Sequence, residues 1–325
     1  MDLLRVGVIG TGYLGKFHAE KYAAMPEVEL VGVADVDRQV AETVAARLNT
    51  RACSDYRQLI NKVDAVSIVV PTEAHFSVAM DFLETGTDVL VEKPMTATVA
   101  EADRLIAFAD ANNRIVQVGH LERYNPAVAP LKDIVRRPAF IESHRLSLYK
   151  ERGTDISVVM DLMIHDIDII LNFVRSEVRE IRAAGISVVS DHVDIANARL
   201  EFESGCVANV TASRISNRNE RKLRLFQKDT YISVDFADSD ITIVEKNGCK
   251  AGQNGAVIPG MTTKKLSFMK WDALEQELKA FVKSVRRRET PEVSGHVGRE
   301  ALRVALSVMD QIRETGRHFN MNAPG

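Results

Sequence analysis

Three groups of residues in this chain of 325 have the types and spacing for chemistry. The first is Gly10-Thr11-Gly12-Tyr13-Leu14-Gly15, set directly after the largely apolar run at 4–9. Glycines so placed give a tight turn, a close backbone approach to a pyrophosphate and tight helix–strand packing, and the helix expected over 16–24 would offer its N-terminus to the phosphates. A second apolar run, 28–34, ends in Asp35. A carboxylate there accepts hydrogen bonds from an adenosine ribose diol and repels a 2′-phosphate. The pattern therefore predicts an NAD(H) site, and Arg38 nearby keeps NADP(H) open.

Glu92-Lys93-Pro94 follows the apolar run 89–91. That places it at the carboxyl edge of an α/β sheet, where ligands of such sheets bind. A lysine beside a positively charged nicotinamide, partly buried, suits proton transfer, and Pro94 restricts Lys93 to extended geometry. An ordinary surface lysine at a strand end fits the same residues. The third group is Asp161, His165, Asp166 and Asp168 within an apolar stretch at 158–171. Residues four apart share a helical face, so Asp161 and His165 line up and Asp168 continues the stripe. An all-round apolar helix is buried, and buried ionisable groups need partners. A stripe facing a cleft would let His165 exchange a proton with a hydroxyl while Asp161 orients it. A self-satisfied core pair fits equally. A metal site lacks an evident third ligand, so none is expected.

Other polar positions are candidates for ligand contacts. Pro71, Thr72 and His75 end the fourth strand and can line a cofactor ribose, or Thr72 can cap a helix. Gln117 and Gly119 lead into Arg123, Tyr124 and Asn125, which suit a polyhydroxylated ligand or form a polar hinge, and Pro126 suits the first turn of the next helix. Arg214, Arg218, Arg221, Lys222, Arg224 and Lys228 form a basic run that reads mostly as a protected strand edge. Arg214, still inside the apolar strand pattern, is the one that would meet a phosphate or carboxylate.

The elements that position these groups fall into two patterns. Up to residue 120, apolar runs at 6–9, 28–34, 65–70, 89–91 and 115–118 alternate with amphipathic stretches at 39–48, 74–85 and 99–111. This rhythm predicts an α/β fold that opens with a Rossmann doubly wound parallel sheet. From 121 to 325 the pattern predicts a second α/β domain with a mostly antiparallel open sheet. Its expected parts are a helix at 127–136, a strand at 140–148, the helix at 158–174, six strands between 181 and 245, a loop at 249–262, and helices at 273–288 and 298–315.

The composition is 46% hydrophobic with a formal net charge of −3, which supports real cores and gives no sign of a nucleic-acid or membrane partner. The chain starts almost at once with a core strand, which leaves no room for a signal peptide. No apolar run approaches a membrane span. Cys53, Cys206 and Cys249 read as free thiols, and the expectation is a cytoplasmic protein.

In their order along the chain, Gly10-Thr-Gly12-Tyr-Leu-Gly15, Glu92-Lys93-Pro94, Gln117-Val-Gly119 with Arg123-Tyr-Asn-Pro126, and Asp161…His165-Asp166 resemble the Gfo/Idh/MocA family of sugar and inositol dehydrogenases. The resemblance implies a Rossmann domain, a second domain whose open sheet packs on a partner subunit in a homodimer or homotetramer, and catalytic roles for Lys93, Asp161 and His165. It also extends cofactor contacts to Tyr13, Leu14, Glu92 and Lys93 beside the glycines. Within the family, Arg145-Leu-Ser-Leu-Tyr149-Lys-Glu-Arg152-Gly-Thr-Asp155 followed by Asp161…Asp168 is similar to the UDP-N-acetylglucosamine 3-dehydrogenase branch. That branch oxidises a 3-hydroxyl on the way to a diamino sugar of lipid A. The similarity implies substrate contacts at Tyr149, Arg152 and Arg214 beside Arg123, Tyr124, Asp161 and His165. The expectation is an NAD-dependent dehydrogenase of a sugar hydroxyl. The alternatives are an inositol or free-sugar dehydrogenase, or an NAD(H)-binding redox sensor without turnover.

Overall fold

The computed structural model describes residues 2–150, 154–246 and 260–321. They form two compact units, one of Met1–Leu121 with Asp272–Leu302 and the other of Glu122–Trp271 with Arg303–Gly325. No helix among the described residues is long and apolar enough to cross a membrane.

The first unit runs β1 (Leu4–Ile9), α1 (Gly15–Ala23), β2 (Val28–Ala34), α2 (Arg38–Leu48), β3 (Arg51–Cys53), β4 (Ala65–Ile68), α3 (Thr72–Glu84), β5 (Asp88–Glu92), α4 (Val99–Ala111) and β6 (Val116–Gly119). The strands form one sheet in the order β3-β2-β1-β4-β5-β6, every pair parallel. The central β4 is buried throughout, as expected where helices cover both faces. Local chemistry starts the helices. The Asp37 side chain accepts from the backbone N–H groups of Gln39 and Val40 at α2, and Thr98 and Glu101 form a reciprocal capping box at α4. The Gly10 turn has φ +85°.

The second unit begins with α5 (Leu131–Ile134) and β7 (Pro138–Leu146). A π-helical turn, Val159–Met163, runs into α6 (Ile164–Val174). Then follow β8 (Val178–Ile186), β9 (Ile195–Phe202), β10 (Val207–Ser213), β11 (Glu220–Gln227), β12 (Thr230–Asp235), β13 (Asp240–Lys246) and β14 (Met261–Ser267). Eight strands order as β14-β13-β12-β11-β7-β10-β9-β8, antiparallel except for the β7–β10 pair. Alternate residues of β9 (Ala196, Ala198, Leu200, Phe202) and β10 (Ala208, Val210, Ala212) are buried, which gives the sheet one core face.

Four expectations are corrected. The helix at 127–136 shrinks to α5, because Pro130 occupies its N-cap position and Asn125 draws Ala127 into a preceding turn. The expected 249–262 loop ends early, since Met261–Ser267 is an edge strand too polar to read as one; residues 247–259, with Cys249, lie outside the described residues. The basic run is not a strand edge, because β11 is internal, between β12 and β7. Finally, α7 (Ala273–Arg287) belongs to the first unit. Its Leu278, Phe281 and Val282 join Val6, Val8, Ala19 and Tyr22 in one core, so its apolar face is claimed by the parallel sheet. The last helix, α8, spans Gly295–Met321.

Candidate active site

In the first unit the glycine-rich turn has the shape the spacing predicts. A side chain at Gly10 would collide with the Val69 carbonyl, and one at Gly15 with the Gly10 carbonyl. Nothing lies within 4 Å of where a Gly12 Cβ would stand. That open side is the approach a pyrophosphate needs. Leu14 takes the N-cap place of α1 without a side-chain cap, so the helix end is left for a ligand. Tyr13 is exposed and packs edge-on against Phe17 at 5.7 Å, with the Lys16 ammonium 5.4 Å from its ring centre.

Asp35 follows β2 and is tied to the turn. Its Oδ2 accepts from the Thr11 N–H at 2.7 Å and the Thr11 hydroxyl at 3.1 Å, and its Oδ1 from the Asp37 N–H at 3.0 Å. A carboxylate has about four acceptor positions, so Oδ1 keeps one for a ribose hydroxyl. A cavity of about 590 Å³ opens beside it, bordered by Gly12, Asp35, Val36, Arg57, Val69 and Pro71. Largely apolar walls with the Asp35 and Asp55 carboxylates and Arg57 at the rim suit an adenosine. Sequence spacing missed Arg57 because only the fold brings it to the cavity beside Asp35. Arg57 lies 3.0 Å from Asp81 and over the Tyr56 ring at 4.7 Å. Arg38 donates instead to Glu42 at 2.7 Å.

Pro71 is the N-cap residue of α3 and Thr72 its first helical residue, so the threonine does not cap. His75 is corrected from a cofactor contact to an internal brace. The ring is buried, with Nδ1 2.9 Å from the Pro94 carbonyl and Nε2 2.8 Å from that of Val70. Burial holds its pKa below the usual histidine value, against the pull of those carbonyls and of Glu92 and Glu73. Glu92 closes β5 and Lys93 follows it half-buried, joined to Pro94 by a cis peptide. The Glu92 side chain is turned inward, 3.3 Å from the buried His18 Nε2, so it too is not a free cofactor ligand.

The second unit divides the polar stripe. Asp161 sits in the π-helical turn and His165 in the first turn of α6, both half-buried. Such π turns are rare and concentrate at functional sites. Asp166 and Asp168 are core residues instead. Asp168 takes two contacts from Arg123, at 2.5 and 2.9 Å. Asp166 accepts from Arg145 at 2.7 Å and the Ser143 hydroxyl at 2.9 Å, and Arg145 also donates to Glu122 at 2.8 Å. Burial would push the Glu122 carboxyl up, but Arg145 and Arg221 outweigh it and hold it below the usual range.

Two predicted substrate contacts are therefore corrected. Arg123 is consumed by Asp168. Arg214 is buried, donates to the Ile156 carbonyl, and lies 3.8 Å from the Asp194 carboxylate, so its strand position signalled an internal ion pair. Tyr124 is half-buried and its carbonyl accepts from the Trp271 indole at 2.6 Å. Asn125 donates to the Phe236 carbonyl at 3.0 Å. Tyr149 is exposed, and Arg152 lies outside the described residues.

Residues 4–120 match an oxidoreductase family with an NAD-binding Rossmann fold, and residues 136–233 match the Gfo/Idh/MocA C-terminal domain. A UDP-N-acetylglucosamine 3-dehydrogenase of Acidithiobacillus ferrooxidans is 39% identical, with 94% of this chain and 96% of that protein aligned. Its crystal form superposes with a TM-score of 0.90 over 96% of this chain and 98% of that one. A myo-inositol 2-dehydrogenase of Thermotoga maritima is 26% identical over 96% of this chain and 97% of its own length. A levoglucosan dehydrogenase solved with NADH shares the fold, at TM-score 0.84 and 18% identity over 96% of this chain and 98% of that one. With the glycine turn, the Asp35 cavity and Lys93 at the sheet's carboxyl edge, these likenesses make the chain an NAD-binding dehydrogenase of the Gfo/Idh/MocA oxidoreductase family.

Proposed function

We propose that this enzyme oxidises the 3-hydroxyl of UDP-N-acetylglucosamine. The observation that carries the reading is the full-length likeness at 39% identity to a dehydrogenase of that sugar, set against 26% for a myo-inositol dehydrogenase of similar coverage. NAD⁺, when bound, accepts the hydride that leaves the carbinol carbon. The hydroxyl proton passes to Lys93 or His165, and the other of the two steadies the oxygen while its negative charge develops. Asp161 orients the sugar or the histidine. The C–H and O–H bonds break, a C=O bond forms, and NADH and a proton are released with the ketone.

Two features support finer parts of the reading. The sheet face away from the core carries Phe140, Phe226 and Tyr231 in a stack at 5.7 and 4.9 Å, which suits contact with a second copy of the chain. Cys53 and Cys206 are buried free thiols, which suits a reducing cytoplasm. A panel of UDP-sugars, free sugars and inositols followed by NADH absorbance tests the substrate. UDP-N-acetylglucosamine is expected to give the highest kcat/KM. Faster turnover of myo-inositol or glucose than of every UDP-sugar overturns the substrate and leaves the dehydrogenase standing.

A further inference from the structure

We propose that Glu92, seated by His18, is a positioning residue that fixes the main chain of Lys93. His18 lies on the buried side of α1, the helix that follows the glycine turn, and it is fully buried. Its Nε2 stands 3.3 Å from Glu92 Oε1. The angle is not that of a well-formed hydrogen bond, so the contact is a close approach of ring and carboxylate. The other carboxylate oxygen, Oε2, accepts from the backbone N–H of Lys93 at 3.2 Å.

The space for this arrangement comes from Gly119, the residue paired with Glu92 across β5 and β6. A Cβ at Gly119 would stand 2.8 Å from Oε1 and 3.0 Å from Oε2. The carboxylate thus lies flat against a strand that only glycine leaves bare. On the far side of the lysine, His75 Nδ1 is 2.9 Å from the Pro94 carbonyl, and its Nε2 ties that contact to Val70 beside the cofactor cavity. The backbone is held before Lys93 and after Pro94. The lysine keeps only its side-chain torsions, which is the preorganisation a proton-handling group needs. Burial opposes the charge on Glu92, but contact with His18 and the nearby positive charge of Lys93 outweigh it and lower its pKa.

The inference rests on Lys93 acting at the reacting hydroxyl and not on the identity of the sugar. Turnover is therefore measured with whichever substrate the wild type oxidises fastest. E92A and G119A are each expected to lower kcat about 100-fold, the scale of a displaced catalytic group, with sugar KM and NAD⁺ affinity held within about threefold. The G119A methyl displaces the carboxylate without removing it. In E92A the same methyl enters vacated space, so E92A/G119A is expected to be no slower than E92A. E92Q keeps an oxygen for the Lys93 N–H and is expected to retain at least about ten times the kcat of E92A.

Wild-type kcat in both E92A and G119A overturns the proposal. So does a loss explained by weaker NAD⁺ binding, or additive losses in the double variant. Should E92A fail to fold, G119A with intact NAD⁺ affinity and undiminished kcat overturns it alone. Undiminished turnover in K93A overturns the role of Lys93 and this proposal together, whereas a fall in K93A beside none in E92A and G119A overturns this proposal only.

Discussion

In the parallel-sheet unit, Asp35 and Lys93 stand half-buried just past the ends of β2 and β5, and Asp35 keeps acceptor capacity beside a cavity of about 590 Å³. In the antiparallel unit, Arg123, Arg145, Asp166 and Asp168 are all 5% exposed or less and closed on one another or on Glu122. The same residue types do opposite work. Asp35 is held by backbone N–H groups and keeps an acceptor position towards the cavity, while the charges of the antiparallel unit are answered by other side chains. Asp166 and Asp168 flank His165 within three residues, yet they belong to the second kind. Proximity along the chain does not separate the two kinds; the partner does.

Substitutions break this comparison differently on its two sides. Lys93→Ala and His165→Ala are expected to lower kcat by about 10²–10⁴, the scale of a positioned acid or base, with little change in Tm. Steady-state kinetics beside thermal unfolding checks this, and wild-type kcat in either variant removes that residue from the chemistry. Arg145→Met should behave in reverse. It leaves Glu122 and Asp166 buried without their shared cation, which costs about 3–5 kcal/mol. Urea unfolding would show it, and a loss under 1 kcal/mol would mean that water reaches the network.

Asp35→Ala has a smaller and more specific effect. It removes charge-assisted hydrogen bonds worth about 1.5–3 kcal/mol, so NAD⁺ binding should weaken about 10- to 100-fold by calorimetry. Part of that loss comes from loosening Thr11 and would fall on NADP⁺ as well. The ratio of the two affinities is therefore the informative quantity, and it should move towards NADP⁺ because the repulsion of a 2′-phosphate is gone. Equal losses for both cofactors would assign Asp35 to the turn alone.

Legibility in the sequence follows the same division. The glycine turn, the place of Asp35 and the place of Glu92-Lys93-Pro94 at a strand end were legible because local spacing in a βαβ unit fixes them, but the inward turn of the Glu92 side chain to His18 was not. The parallel sheet was legible for the same reason, apart from the three-residue β3, too short to leave a pattern. Arg57 and His18 were not, since each meets its neighbours only through the fold. The closed ion pairs were misread because Arg123 and Asp168 are 45 residues apart, and Arg145 and Asp166 are 21 apart. The π-helical turn was hidden inside what reads as one apolar helix.

The smallest expected effect concerns Asp194, a fully buried carboxylate of the antiparallel unit held chiefly by backbone N–H groups. Its Oδ2 accepts from the N–H groups of Val188, Val189 and Ser190 at 2.7, 2.7 and 3.0 Å, and its Oδ1 from the Ser190 hydroxyl at 2.7 Å. Burial acts to raise its pKa, but the backbone N–H groups and the hydroxyl outweigh it and bring it to about 2, from 3.8. A depressed carboxyl stabilises the folded state above its unfolded pKa, and that contribution is lost as pH falls through the folded value. The fold should therefore lose stability between about pH 4 and pH 2 partly through this one group. Asp194→Asn cannot titrate and keeps an oxygen for the turn. Its Tm should lie below wild type at pH 7 and approach it as the pH falls to 2. A constant Tm difference across that range would mean that Asp194 does not titrate with a lowered pKa in the folded state, and that the substitution acts through packing alone.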